Sequence, residues 1–440
     1  MAFDGEFINR TFDFDKPFPV PNSVSHRVLD GRHLFIATEI PAWIAPKNDC
    51  EAEIIERLLN GATIGEARDV LLSYGIAEDD ATHKLGSLLE ILIASNFMSG
   101  TFSDDQRDYG RLQIHITNRC NLRCPHCYVS SGNPFPEELD LKVWVEVLDE
   151  MSRHFSHVNV SISGGEPLSV PWLRDLLYVA KIVHKFDTAI LTNGLLWTES
   201  RTAELAPLVD YVAVSLDGAT AAIHDRIRGT GSFEKTLRAL HRMNEANLHM
   251  VLNVTLMESN KADLLNNLYP LVSSLPFLVD VDVANYIAEG RGADTPEEVI
   301  QRVEFQRTLA QLVAPFTQRS WNPLPYSVRY NCGYGNSLAI YANGDVSPCL
   351  TPRFIRGNIL QDGVAAIFRT IWQQANDASV NKLPLCRTCD VRYLCGGQCH
   401  LPQLITMSEI SQNDCSQSYR DRFYRSLIER HDIIANTAQA

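Results

Sequence analysis

The most constraining feature of the chain is a group of three cysteines, Cys120, Cys124 and Cys127, with the spacing C-x3-C-x2-C. Three thiolates this close together can hold three corners of a cubane iron–sulfur cluster and leave the fourth iron without a protein ligand. An iron that is open in this way can bind a substrate or cofactor, whereas a fourth cysteine would suit electron transfer alone. The alternative interpretations are part of a zinc site and a chance clustering.

Short apolar runs alternate with helical stretches between about residues 111 and 320, and this alternation predicts parallel β/α units. The cysteines directly follow the first run, so they are expected on a loop at the end of a strand. In such folds the chemistry gathers at the carboxyl ends of the strands. The six strand candidates are residues 112–117, 158–163, 188–192, 211–215, 250–255 and 279–284.

Polar segments follow three further strand candidates. Ser163-Gly164-Gly165-Glu166-Pro167 ends the second strand, Leu191-Thr192-Asn193-Gly194 the third, and Ser215-Leu216-Asp217-Gly218 the fourth. Paired glycines let a backbone approach a ligand closely, and the glutamate can position a ligand ammonium group. Each segment also has a simpler interpretation. Many tight turns contain two glycines, Asn193 can belong to a plain turn, and Asp217 can cap a helix.

The order and spacing of these segments, from the cysteine loop to His224-Asp225-Arg226-Ile227-Arg228-Gly229, resemble the radical S-adenosylmethionine (SAM) enzymes. The resemblance implies an α/β fold, a partial (β/α)6 TIM-like barrel, with a 4Fe–4S cluster on the three cysteines that binds SAM at its open iron. It places the methionyl amine of SAM near Gly164, Gly165, Glu166 and Pro167, its ribose and carboxylate near Asn193, Ser215 and Arg228, and its adenine near His126.

Seven further cysteines lie between residues 332 and 415: Cys332, Cys349, Cys386, Cys389, Cys395, Cys399 and Cys415. Their spacing resembles the SPASM extension of radical SAM enzymes, which implies two auxiliary iron–sulfur clusters, expected to be 4Fe–4S. In that family the ligands matching Cys386, Cys389, Cys395 and Cys415 surround one fully ligated cluster. Cys332, Cys349 and Cys399 would surround the other, whose remaining position is an open iron, a non-cysteine ligand or a substrate. A pair of zinc sites is the alternative.

The first hundred residues predict a hairpin around Asp30-Gly31 and three short helices, a small winged-helix-like domain. This pattern resembles the RiPP recognition element, which implies binding of the leader segment of a precursor peptide. An exposed hairpin edge can accept an extended peptide as an added strand, and a tethered leader raises the effective concentration of its core peptide. The alternative is an ordinary winged-helix module for dimerisation or DNA binding. Cys50 is expected to be a buried thiol on the first helix.

A length of 440 residues predicts two or three domains. The resemblances imply three, at residues 1–105 (leader recognition), 106–320 (radical SAM core) and 321–440 (SPASM). The chain has no apolar run of about 18 residues and no signal-peptide pattern, so we expect a cytoplasmic protein without a membrane association. A formal charge of −14 argues against broad nucleic-acid binding. Eleven cysteines in such a chain indicate metal or redox chemistry.

Together the resemblances imply a radical SAM oxidoreductase that cleaves SAM reductively to a 5′-deoxyadenosyl radical and oxidatively modifies a ribosomally made precursor peptide. The expected product is a cross-link through a new C–C, C–S or C–O bond, with another oxidised product as the alternative. The resemblance also implies a reductant of the flavodoxin or ferredoxin type. A sulfatase-maturing or small-molecule dehydrogenating enzyme is one alternative, and an iron–sulfur electron carrier or zinc scaffold is another. Asp280, Asp282 and Glu289 are candidate bases near strand ends, without a motif behind them.

Overall fold

The fold is described from a computed structural model, which covers residues 12–99, 109–277, 279–316, 330–350, 354–397 and 415–438. The chain divides into two compact units. The first contains residues 1–107, 322–333 and 376–440, and the second contains residues 108–321 and 334–375. The expected domain boundaries near 105 and 320 lie outside the described residues, so the division into three functional domains stays a prediction.

The second unit is built on a sheet of nine strands, of which six are parallel neighbours in chain order. Each of the six predicted strands is present, which confirms the α/β fold. Because their apolar side chains alternate or run continuously, these strands bury at least one face against the flanking helices. The strands are β4 (Tyr109–His115), β5 (His157–Ser163), β6 (Asp187–Thr192), β7 (Tyr211–Ser215), β8 (His249–Leu256) and β9 (Asp280–Asn285).

Helices connect these strands, as parallel pairing requires. The first one begins after Asp140, whose side chain accepts a hydrogen bond from the Val143 N–H, and it buries Trp144, Leu148 and Met151 on one face. The helices of this region are α4 (Leu141–His154), α5 (Leu173–Tyr178, continued by a π turn at Val179–Val183), α6 (Glu199–Leu205), α7 (Ala221–Arg228), α8 (Ser232–Glu245), α9 (Lys261–Ser274) and α10 (Arg302–Val313).

Three more strands extend the sheet beyond β4. β10 (Ser337–Tyr341) pairs parallel to β4, and β11 (Asp345–Ser347) and β12 (Gly357–Asn358) follow in antiparallel pairing. The sequence after residue 321, rich in cysteine and in loop-forming residues, predicts little regular structure before a helix near residues 416–434. That prediction is wrong. α11 (Ile359–Asp362) and the amphipathic α12 (Val364–Asp377) also lie in this stretch. Apolar residues at helical spacing form the buried face of α12: Val364, Ile367, Phe368 and Ile371.

The first unit contains the expected hairpin and three helices. The turn between β1 (Val24–Leu29) and β2 (Arg32–Ala37) has positive φ at Asp30 and Gly31 (50° and 78°), the conformation of a two-residue hairpin loop. Thr63 and Glu66 form the complete capping box that the sequence Thr63-Ile64-Gly65-Glu66 predicts. The remaining elements here are β3 (Trp43–Ile44), α1 (Asp49–Leu59), α2 (Ile64–Ser73) and α3 (Glu78–Ala94).

The three-stranded sheet of the first unit is covered on both faces. Phe35 and Ile44 pack with α1, α2 and α3, whereas Leu34, Ile36 and Trp43 pack against residues near the C-terminus. The second layer contains α13 (Arg392–Cys395) and the long α14 (Gln417–Ala438). Because side chains alternate between the faces of a strand, the continuous apolar run of β2 serves both layers. No helix among the described residues is long and apolar enough to cross a membrane.

Candidate active site

The cysteine loop begins where β4 ends, as expected. The backbone N–H of Cys120 donates to the carbonyl of Gly132 at 2.9 Å, and the N–H of Gly132 donates to that of Asn118 at 2.7 Å. The carboxylate of Glu138 accepts hydrogen bonds from the Thr117 hydroxyl and the Asn118 N–H, both at 2.8 Å. These contacts close residues 118–132 into a compact loop.

The three thiols of this loop are half-buried. Burial raises the pKa of Cys120 to about 11. Burial also raises the pKa of Cys124, although the positive charge of Arg228 partly offsets this rise. The Leu122 N–H points at the sulfur of Cys120 at 3.4 Å, and the Ser131 N–H points at that of Cys127 at 3.3 Å. Amide groups directed at sulfur are a feature of iron–sulfur sites. The donor set therefore fits a cluster whose binding would displace the thiol protons.

The two glycines after β5 lie against the cysteine loop. A Cβ on Gly164, whose φ is +141°, would meet the carbonyl oxygen of Thr117 at 2.5 Å, and one on Gly165 would meet that of Arg119 at 2.1 Å. The N–H groups of Gly165 and Glu166 donate to these same carbonyls. The sequence predicted that these glycines let the backbone approach a ligand. The close approach that the structure shows is to the loop that carries the cysteines.

Glu166 joins the ends of two strands. Its fully buried carboxylate accepts hydrogen bonds from the Thr192 hydroxyl at 2.7 Å, the Asn193 N–H at 2.9 Å and the Leu168 N–H at 3.1 Å. Burial outweighs these bonds and raises the pKa of Glu166 to about 6. Pro167 is buried and opens a short turn. The glutamate, for which the sequence suggested contact with a ligand ammonium, thus already has three protein donors.

Asn193 continues this network to the cysteines. Its side-chain amide donates to the side-chain oxygen of Asn121 at 2.8 Å and lies 3.9 Å from the sulfur of Cys120. The segment after β6 is therefore more than a plain turn, because it links Glu166 to the cysteine loop. Its expected contact with SAM stays a prediction.

A second network lies between the cysteine loop and β7. Asp217, fully buried, pairs with Arg228 at 2.5 Å and with Nε2 of His126 at 3.1 Å, and it accepts the Thr255 N–H at 2.9 Å. The alternative interpretation of Asp217 as a helix cap is wrong, because Thr220 is the N-cap residue of α7. Nδ1 of His126 is buried without a hydrogen-bond partner in the described structure. An adenine or another polar ligand group would fit such an atom.

The other predicted residues have simpler surroundings. Ser215 is the last residue of β7 and is half-buried. The prediction that Asp280 is a base at the end of a strand where the chemistry gathers is wrong. Asp280 is the first residue of β9, at the opposite end, and it contacts His249 at 2.6 Å. Asp282 is exposed in the same strand.

Two residues that the sequence did not single out hold the cysteine loop. Glu138 binds its start, as described above, and Arg291 binds its far side through the carbonyls of Cys124 and Ser131. Glu138 follows the cysteines without any recognisable spacing. Arg291 stands between Gly290 and Gly292, and this pair of glycines was the available signal.

Four of the later cysteines come together in the first unit. Cys386 and Cys389 are close enough to Cys395 and Cys415 for the charges of the thiolates to interact. Burial, with these neighbours, raises the pKa of Cys386 and of Cys389 to about 11 each. The sulfur of Cys395 lies 3.6 Å from the hydroxyl of Tyr419. Four converging thiols fit the fully ligated auxiliary cluster.

The second auxiliary set stays a prediction. Cys332 is an exposed residue of the first unit, and Cys349 is a half-buried residue of the second unit. Cys399 lies outside the described residues. Cys50 lies on α1 and packs against the core, as expected, but it is half-buried where a buried thiol was predicted.

Comparisons with known families agree with this geometry. The model of the radical SAM superfamily matches residues 114–267, and that of the SPASM iron–sulfur cluster-binding domain matches residues 332–390. The mycofactocin maturase MftC of Mycolicibacterium smegmatis is 30% identical over 317 residues, which cover 67% of this chain and 79% of MftC. The chain belongs to the radical SAM superfamily of enzymes and carries a SPASM domain. The cofactors of this family are SAM, the 4Fe–4S cluster that binds it, and the SPASM clusters.

One further relative and two solved structures match this chain at lower identity than MftC. The sporulation killing factor maturation protein SkfB of Bacillus subtilis is 26% identical over 58% of this chain, and the match spans 63% of SkfB, less than two thirds of its length. Among solved structures, anSMEcpe with bound AdoMet has a TM-score of 0.52 at 19% identity, covering 75% of this chain and 95% of that chain. Streptococcus suis SuiB bound to S-adenosylmethionine has a TM-score of 0.50 at 18% identity, covering 90% and 99%. These structural matches establish the fold alone.

Proposed function

We propose that this protein is a radical SAM peptide maturase that oxidatively modifies a ribosomally made precursor peptide. The observation that carries the proposal is the cysteine loop, held at the carboxyl ends of β4, β5 and β6 with Asn193 3.9 Å from the sulfur of Cys120. Two relatives align with this chain over more residues than the superfamily model does, and they are named as maturation proteins of mycofactocin and of sporulation killing factor.

Cys120, Cys124 and Cys127 would hold the cluster, and SAM would bind its open iron. When bound, the cluster and SAM together supply a 5′-deoxyadenosyl radical by reductive cleavage of SAM, with an electron from a reductant of the flavodoxin or ferredoxin type. Arg228 would receive the SAM carboxylate and Ser215 its ribose hydroxyls. Asp217 keeps Arg228 ionised and oriented, because the two form a buried pair. Burial of these groups keeps water away from the reacting centre.

The modification proposed is an oxidative cross-link in the core peptide. Cross-linking removes two hydrogens from the peptide, so an electron must leave the substrate after the first hydrogen atom is taken. Cys386, Cys389, Cys395 and Cys415 would hold a fully ligated cluster, and such a cluster would supply an acceptor for that electron without binding substrate. The convergence of Cys386, Cys389, Cys395 and Cys415 supports this assignment.

The domain at residues 12–99 is proposed to bind the leader of the precursor. A groove of about 660 Å³ lies beside β3 and is lined by α1, α2 and α3. Ile44, Leu71 and Leu88 give it an apolar floor, and Lys47 and Glu51 stand at its rim. β3 is the edge strand of its sheet. An extended leader can therefore pair with β3 through its backbone and place alternate side chains in the groove.

Anaerobic reconstitution of the protein with iron and sulfide tests the enzymatic part of the proposal. With SAM and dithionite the wild-type protein should release 5′-deoxyadenosine, and Cys124→Ala should not. Co-expression with a precursor peptide from a neighbouring short reading frame should lower the peptide mass by two hydrogens per cross-link. An unmodified peptide mass would contradict cross-linking, and absence of 5′-deoxyadenosine from the wild type would contradict radical SAM chemistry.

The leader site has its own test with a matched pair of variants. Ile91 lines the groove, whereas Ile93, two residues later on α3, is 45% exposed and lies outside the residues that line it. Ile91→Lys should weaken binding of a fluorescent leader peptide at least tenfold in an anisotropy titration, and Ile93→Lys should not. Both variants should still cleave SAM without peptide. Equal leader affinity in Ile91→Lys and the wild type would exclude this groove.

A further inference from the structure

Arg291 contacts the cysteine loop at three points, although it lies 160 to 167 residues further along the chain. Its Nε donates to the carbonyl of Cys124 at 2.9 Å, and one terminal nitrogen donates to that of Ser131 at 2.7 Å. Its backbone N–H donates to the carbonyl of Cys127 at 3.1 Å. Two of the three accepting carbonyls belong to the proposed cluster ligands themselves.

The backbone before Arg291 is shaped for this contact. Gly290 has a φ of +55°, and a Cβ on it would lie 2.5 Å from the carbonyl oxygen of Tyr128. Gly290 and Arg291 belong to the short turn Gly290–Asp294, which follows the last parallel strand, β9. The turn after β9 therefore presses against the second half of the cysteine loop, while the glycine turn after β5 contacts its first half.

We propose that Arg291 is a positioning residue that fixes the carbonyl groups of Cys124 and Ser131 and so sets the thiolates of the cysteine loop for cluster binding. This inference rests on the proposed function. A guanidinium presents several donors in a rigid plane, so it can hold two carbonyls at once where a lysine could hold them less well. Without it the two carbonyls would lose donors in a half-buried loop, at a cost for each unpaired group.

Arg291 also contributes charge. Its guanidinium lies against the backbone of Cys124, one of the proposed cluster ligands, with Nε 2.9 Å from the carbonyl oxygen of that residue. Three thiolates give a cluster with a net negative charge, and reduction makes this charge more negative. A nearby cation therefore favours the reduced state, so its loss should make the reduction potential of the cluster more negative.

The test compares three variants of the reconstituted holoenzyme. Arg291→Gln removes both the planar guanidinium and its charge, whereas Arg291→Lys keeps a positive charge without the guanidinium. Arg242→Gln is the matched control, because Arg242, part-buried on α8, also donates to a backbone carbonyl, but to that of Trp197 at 3.1 Å and not to one of the cysteine loop. The readouts are the rate at which a chelator removes iron from the SAM cluster, the reduction potential of that cluster, and 5′-deoxyadenosine release.

We expect Arg291→Gln to lose this iron at least tenfold faster than Arg242→Gln and to have the more negative potential. Arg291→Lys should recover the potential while still losing iron faster than the control. If Arg291→Gln failed to fold, Arg291→Lys would decide the question through its iron loss. Iron loss and potential equal to those of Arg242→Gln would overturn the inference. Iron retention is measured without SAM cleavage, so a wild type that released no 5′-deoxyadenosine would refute the proposed function separately.

Discussion

Arg228 donates a hydrogen bond from its Nε to Oδ2 of Asp217, and Asp217 is fully buried. Burial by itself would raise the pKa of this carboxyl. Arg228 and His126, which lie against the same oxygen, outweigh that effect and hold the pKa of Asp217 well below its usual range. The carboxyl of Asp217 is therefore ionised and forms a charged pair with Arg228. Either partner left alone would be a buried, uncompensated charge.

Asp217→Asn tests this dependence. The substitution leaves Arg228 charged and without its carboxylate, so the free energy of unfolding should fall by about 3 kcal/mol. Urea unfolding followed by circular dichroism measures the change. Asp175→Asn is the control, since Asp175 lies 3.6 Å from Arg174 with both side chains more than half exposed. Its effect should stay below about 1 kcal/mol. Similar losses in the two variants would contradict the special role of the buried pair.

Gly165→Ala should abolish retention of the SAM cluster. Its Cβ would lie 2.1 Å from the carbonyl oxygen of Arg119, a backbone atom that cannot rotate away, so the cysteine loop must move. Iron and sulfide analysis after reconstitution should show the loss of one cluster. Gly231→Ala is the comparison, because Gly231 has a φ of +75° with no atom within 4 Å of its would-be Cβ. That variant should lose about 1 kcal/mol of stability to backbone strain and keep its iron. Full iron content in Gly165→Ala would be incompatible with the observed contact.

The cysteines of the first unit should stabilise the small sheet. Cys389 and Cys395 pack at the edge of the apolar cluster that contains Leu34 and Ile36 of β2. Between them in sequence, Asp390 accepts hydrogen bonds from Arg27 of β1 at 2.9 and 2.8 Å. Cys389→Ala removes a ligand of the auxiliary iron–sulfur cluster. Loss of that iron–sulfur cluster should therefore speed hydrogen exchange in β1 and β2 at least tenfold.

The matched control for that experiment is Cys124→Ala, which removes a ligand in the second unit. It should leave exchange in β1 and β2 at the wild-type rate, because Cys124 makes no contribution to the apolar cluster of the first unit. Equal protection of these strands in Cys389→Ala and Cys124→Ala would show that the sheet is stable without its neighbouring cluster.

His431 on α14 should make the protein less stable in mild acid. Burial lowers its pKa from 6.5 to about 4, and neither ring nitrogen has a hydrogen-bond partner in the described structure. As the pH falls from about 6.5 to 4, the unfolded chain binds a proton that the native state excludes. Stability from this residue is thus complete above pH 6.5 and falls by up to about 3 kcal/mol towards pH 4.

His431→Leu removes that proton site while keeping an apolar side chain in the same place. Its thermal midpoint should decrease less than that of the wild type between pH 7 and pH 5, measured by circular dichroism of the holoenzyme. The clusters are common to both proteins, so their own acid sensitivity cancels in the comparison. A parallel decrease of the two midpoints would show that His431 is accessible to protons in the native state.

Local signals explain which parts of the fold the sequence predicted. The Asp30-Gly31 turn, the capping box at Thr63 and the six parallel strands all depend on residues close together in the chain, so periodicity and turn chemistry were sufficient. The spacing of Cys120, Cys124 and Cys127 is local in the same sense. β10 and α12 were missed, because the cysteines around them suggested an irregular, metal-linked segment.

The partners of the site residues were decided by contacts between distant segments. Gly165 was recognised for its freedom of backbone conformation, yet only the folded chain shows that the space it leaves is filled by Arg119. Arg27 and Asp390 are 363 positions apart.

The sequence by itself determined the strand order along the chain, the cluster-binding residue types and their spacing, because each follows from neighbours within one element or loop. Only the tertiary structure decided that Glu166 binds Thr192 and Asn193 and that Asp217 pairs with Arg228. It likewise decided that Arg291 donates hydrogen bonds to the cysteine loop. The physical reason is that a buried polar group must find its partner in space, and the packing of strands and loops determines which group is near enough.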